Sequence, residues 1–232
     1  MTVEGITVVL MLIALILSLV LAIAFNLLYF REHMPHIAIW SSALYIMGMR
    51  VLILIESETI SSPGYLTSYS LHFINDVLLI LVDIIWIYGI FQFLEYSREK
   101  KNQLLYGFFG YLVLLALLYG IGMPESILIV EGATLVLIHP VLISYLFWMF
   151  YRNGKEVKDR TMQYFGIAFL IWAIDFILFG IPYFVYKNPI TGALGWSVGV
   201  LFRLILLCAF IEIRKETLKR ERTSPQPTAA SR

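Results

Sequence analysis

Apolar residues along this chain gather into seven runs, about Ile6 to Phe30, Ile37 to Ile55, Leu66 to Leu94, Leu104 to Ile121, Ile127 to Phe150, Met162 to Tyr186, and Thr191 to Ile213. Most are close to the roughly 20 residues that cross a hydrocarbon core about 30 Å thick. Connections between them are roughly ten residues or fewer, too short for a separate domain on either face. The pattern predicts an all-α membrane protein, a bundle of seven transmembrane helices occupying residues 1–213, followed by a basic cytoplasmic helical extension and disordered tail over 214–232. Ser224-Pro225 supplies the helix stop. The first run has no basic leader and ends at Phe30-Arg31 without a small-residue cleavage site, so it is read as a helix and not a signal peptide.

Composition agrees with lipid as the solvent, since 60% of the 232 residues are apolar and 14% charged, respectively above and below the shares of a soluble domain. Net charge is +1, and its distribution carries the information. One set of connections and ends holds Arg31, Arg98, Lys100, Lys101, Arg152, Lys155, Lys158, Arg160, Arg214, Lys215, Lys219, Arg220, Arg222 and Arg232, whereas the other holds Lys187 alone. Fourteen basic residues against one place the amino terminus outside and the carboxyl tail in the cytoplasm. The expectation is a multi-pass protein of the cell membrane, with the bilayer as its first partner and no nucleic-acid partner. Cys208, the one cysteine, lies within an apolar run, which excludes an intramolecular disulfide.

A faint three-plus-one-plus-three repeat runs through the chain. The first and fifth runs end Leu28-Tyr29-Phe30-Arg31 and Met149-Phe150-Tyr151-Arg152, and the third and seventh end Phe93-Leu94-Glu95 and Phe210-Ile211-Glu212. In the second and sixth runs, Ile37-Ala38-Ile39 and Ile167-Ala168-Phe169 stand 130 residues apart. Such parallel repeats occur in some transporters. The competing reading is that membrane helices commonly end in aromatic and basic residues.

Ionisable side chains inside a span are expensive and are functional candidates by default. Here they are Arg50, Asp76, Asp83, Glu131, Asp175 and Arg203, with His72 on the same helical face as Asn75, Asp76 and Asp83. Arg50 and Asp175 each lie thirteen residues from the basic end of their runs, roughly 20 Å deep at 1.5 Å per residue. The set Arg50, His72, Asp76, Asp83, Glu131, Asp175 and Arg203 is thus expected to line a polar cavity that opens outward and binds a small solute or ion. The alternative is that Arg50 with Asp76 or Asp175, and Arg203 with Asp83, are ion pairs that fix helix positions. His139 precedes Pro140, and the proline marks a kink. A metal site from His72, Asp76 and His139 has incomplete spacing, and Gly195 and Gly199 are spaced for close helix packing within one chain.

Seven helices in this length resemble the microbial rhodopsins, but every lysine is in a connection or the tail, and Arg203 cannot serve as a Schiff-base amine. Retinal is therefore excluded, and no other cofactor is expected. Small seven-helix sugar transporters share the size and repeat, yet no Pro-Gln dipeptide lies in a span. Hydrolase, zinc-protease and Walker motifs are absent, as is a glycine motif beside Asp76 and Asp83 of the kind intramembrane aspartyl proteases carry, so an enzyme is a minority reading. In architecture, from Ile6 to about Leu218, the chain resembles the seven-helix input regions of prokaryotic signalling proteins. That resemblance implies a sensor or receptor-like module read by a cytoplasmic or membrane signalling partner. A small-solute or ion transporter and a structural assembly subunit are the alternatives.

Overall fold

The computed structural model describes residues 2–59, 65–120, 132, 134–180 and 189–223, all of them in helices or the short turns that join helices. Seven α-helices follow in order: α1 (Val3–Glu32), α2 (Pro35–Thr59), α3 (Tyr65–Phe93), α4 (Arg98–Gly120), α5 (His139–Glu156), α6 (Arg160–Asp175) and α7 (Pro189–Thr223). A π-helical turn, Thr134–Ile138, leads into α5, and another, Phe176–Gly180, continues α6. Six helices are long and apolar enough to cross a membrane. The exception is α5, whose 18 described residues include Arg152, Lys155 and Glu156. The start of its expected run, Ile127 to Glu131, and residue 133 lie outside the described residues.

Local chemistry sets the helix ends. Thr2 caps α1 by accepting the Gly5 amide at 3.2 Å, and the Asp159 carboxylate caps α6 by accepting the Thr161 and Met162 amides at 2.8 and 3.3 Å. Tight turns close on His33, Glu95 and Lys158, each with φ near +54°, a conformation non-glycine residues enter rarely. These turns join α1 to α2, α3 to α4 and α5 to α6, all at the end of the bundle where the basic residues gather.

Six helices close a ring in which α1 packs on α2, α2 on α3, α3 on α5, α5 on α6, α6 on α7 and α7 back on α1. The α4 helix stands outside, packed chiefly on α3, and only 11% of its apolar stretch is buried by protein. The rest of that surface needs lipid, as do Leu27, Phe30, Leu117 and Val141, all more than 60% exposed. Two glycines bring α5 and α6 together: a Cβ at Gly154 would come within 2.9 Å of the Gln163 amide nitrogen, and one at Gly166 within 3.1 Å of that of Tyr151.

Three layers succeed one another along the ring. At the basic end a cavity of about 460 Å³ opens between the starts of α2 and α6 and the far parts of α3 and α7, lined among others by His36, Glu95, Thr161 and Glu216. Trp40 forms its floor and begins an aromatic layer. There Trp40 stacks on Trp86 at 5.8 Å, Phe150 lies parallel to Phe169 at 5.4 Å, and Phe165 fills between them, 5.0 Å from both Trp40 and Phe150. All five rings are buried. Beyond them lie the charged residues of the spans.

Candidate functional site

Past the aromatic layer, every ring helix brings a polar side chain inward, α5 through His139 at its first residue. On α3, Asn75, Asp76 and Asp83 are buried on one face, as their spacing requires. Asn75 Oδ1 accepts from Arg50 Nε of α2 at 3.0 Å, and Asp76 Oδ2 accepts from the Tyr119 hydroxyl of α4 at 2.9 Å. Arg50 also lies within electrostatic reach of both Asp83 and Asp76.

Asp83 pairs across the ring with His139: its Oδ2 lies 2.6 Å from Nδ1, and neither side chain is exposed. Trp172 and Phe176 present their rings edge-on to the imidazole at 5.2 and 4.7 Å. The π turn Thr134–Ile138 and Pro140 break the regular ladder around His139, which rotates this segment out of simple α register. Thr134 in that turn meets the Tyr111 hydroxyl of α4 at 2.8 Å.

Arg203 of α7 donates through Nε to Ser18 Oγ of α1 at 2.7 Å and through Nη1 to the Gly199 carbonyl at 2.7 Å. Asp175 of α6 is its acidic neighbour and approaches Gly195 of α7, where a Cβ would sit 3.5 Å from Oδ1. The glycine spacing of α7 therefore serves packing inside the chain at Gly195, against Phe179 and Asp175, while the Gly199 carbonyl holds Arg203.

The alternative pairing of Arg203 with Asp83 is not formed: Asp83 takes His139, and Arg203 takes Ser18 and a backbone carbonyl. The cause is the ring order, which sets α3 against α5 and α7 against α1. Of the candidate residues, Arg50, Asp76, Asp83, Asp175 and Arg203 all lie beyond the aromatic layer. Glu131 and the side chain of His72 lie outside the described residues. His139 is placed as a partner of Asp83, a role its position beside Pro140 did not reveal. Tyr111, Tyr119, Thr134 and Ser18 carry no signal in a sequence, because single hydroxyls in membrane helices usually bond their own backbone. Among the described residues no three histidine, cysteine or acidic side chains converge as a metal site would need.

Compared with known proteins, the chain matches no family model, no curated protein and no solved structure. The helical, apolar bundle is that of a multi-pass membrane protein, and any finer reading must come from the site itself.

Proposed function

We propose that the chain crosses the membrane seven times, with its amino terminus outside, and carries a small solute or ion through the polar core between two three-helix halves. The observation that carries this reading is the ring order. Exchanging α1, α2 and α3 for α5, α6 and α7 maps each contact of the ring onto another, including α3 against α5 onto α7 against α1, and leaves α4 as the connector. Polar bonds cross both of these seams, Asp83 to His139 and Arg203 to Ser18. Ser18 and His139 are 121 residues apart, the offset that also relates Arg31 to Arg152. Transporters built from parallel repeats bind substrate near the midplane between the halves and rock them about it. A cavity at the basic end, closed from the polar core by aromatic rings, is the layout of such a bundle open to the cytoplasm.

A sensor is the second reading, favoured by α7, which runs unbroken from Pro189 to Thr223 and joins the polar core at Arg203 to the basic end. Reconstitution separates the two. Transport predicts solute-dependent currents in proteoliposomes across a panel of sugars, amino acids and small ions, lost in Asp83→Asn. Thermal-shift binding of one panel compound without flux, with a signalling protein co-purifying, would replace transport by sensing.

A further inference from the structure

We propose that the Asp83–His139 pair is a proton-binding site; its use as the coupling site of a proton-driven cycle rests on the transport reading above. The two side chains come from opposite halves of the ring, α3 and α5, and meet at 2.6 Å with no exposure. Each keeps a second polar atom, Asp83 Oδ1 and His139 Nε2, that is buried and has no hydrogen-bond partner among the described residues. An unsatisfied buried polar group is costly, so each of these atoms is a place where a proton or a water can bind. With Nδ1–H donating to Oδ2, the imidazole has a lone pair free on Nε2. One proton taken from water there turns neutral histidine into imidazolium and makes the pair a neutral ion pair; its release restores a net negative pair.

The surroundings suit a single exchange. Arg50 of α2 is the nearby cation, within electrostatic reach of Asp83. Asp76 on the same helix shares that arginine, and the Tyr111 phenol of α4 feels both carboxylates. From α6, Trp172 and Phe176 bracket the imidazole with apolar rings, and Asp175 follows Trp172 by three residues. Histidine is the side chain whose charge changes most readily near neutral pH, and Asp–His chains recur as proton relays inside membranes. A proton gained or lost at a seam between halves alters the attraction across that seam, which is what couples a proton to a change of access.

Trp172 reports the site, since an imidazolium quenches an indole in ring contact. Intrinsic emission of the full chain in nanodiscs is titrated with pH, and the Trp172 contribution is taken as the difference from Trp172→Phe. A reversible one-proton loss of that emission on acidification is expected, abolished in His139→Gln and displaced to lower pH in Asp83→Asn. The aspartate-to-asparagine variant, being isosteric, carries the test if His139→Gln does not fold. Emission that is flat across the pH range in which the protein stays folded, or a transition that both variants leave unchanged, overturns the proposal. In proteoliposomes containing pyranine, a solute found to be transported should move protons with it. A Trp172 transition without any solute flux keeps the proton site and removes the transport reading; flux with no proton movement and no transition does the reverse.

Discussion

Replacing Gly89 of α3 by alanine opposes two effects of known sign. Alanine is the better helix former by about 1 kcal/mol, so local propensity alone makes the variant more stable. A Cβ at Gly89, however, would overlap Trp40 Nε1 and lie 2.5 Å from Trp40 Cδ1 and 3.3 Å from Ile39 Cγ2. Phe165 and His36 at 5.0 Å, Phe150 at 5.7 Å and Trp86 at 5.8 Å hem the indole on its packed sides, so it yields only by moving into the cavity it floors. Overpacking costs about 1–3 kcal/mol, and a contact this short falls at the upper end even with that movement. We therefore expect Gly89→Ala to lose about 1–2 kcal/mol net. Gly107→Ala and Gly110→Ala on α4 are the controls, since no described atom lies within 4 Å of a Cβ at either position; each should gain about 0.5–1 kcal/mol. Apparent melting temperatures from fluorescence-detected size exclusion rank the variants. If Gly89→Ala is as stable as the controls, the placement of Trp40 against α3 is wrong. Partial rescue by Trp40→Phe would locate the strain in the indole.

Ser18→Ala removes the hydroxyl that accepts from buried Arg203 and should cost about 1.5–3 kcal/mol, whereas Ser41→Ala, which loses a neutral bond to the Ala22 carbonyl at 2.8 Å, should cost about 1 kcal/mol; equal losses in thermal stability would refute the charged role of the first. Arg203→Met removes the hydrogen bonds of a buried cation to Ser18 and the Gly199 carbonyl and should cost about 1.5–3 kcal/mol, and a double variant with Asp175→Asn should lose less than the sum of the singles; additivity would mean that the two charges do not interact. In a Cys208→Ser background, single cysteines at Glu58, Glu125 and Lys187 should react with an impermeant maleimide on intact cells, and cysteines at Lys100, Lys155 and Lys219 only after lysis. The reverse pattern would invert the proposed topology.

The helices were legible because lipid imposes one rule on every span, and the apolar runs follow it without relying on particular neighbours. Even the inward face of α3 followed from the spacing of Asn75, Asp76 and Asp83. Partners were not legible. Four acids and two arginines in the spans allow several pairings of opposite charge, and choosing among them needs the ring order, which short connections alone do not fix. Arg203 and Asp83 come from helices that each have a different neighbour across the seam, so the alternative in which the two pair is not formed. The π turn before His139 was hidden for a different reason. It depends on where Thr134 and the imidazole find partners across the bundle, while Pro140 signals only that the ladder breaks nearby. The cavity at the basic end was missed because its lining comes from four helix ends that are far apart in sequence.

The order of layers bears on what the polar core can do. Charges this deep in a bilayer are tolerated when they face a protein interior or a watery cavity, and here the aromatic layer of Trp40, Trp86, Phe150, Phe165 and Phe169 lies between them and the cavity at the basic end. Those five rings come from α2, α3, α5 and α6. On the transport reading proposed above, they join the two three-helix halves, and rocking the halves would unstack them. Trp40 also floors the cavity and lies against Gly89, so a ligand entering from that end would meet a ring of the layer first.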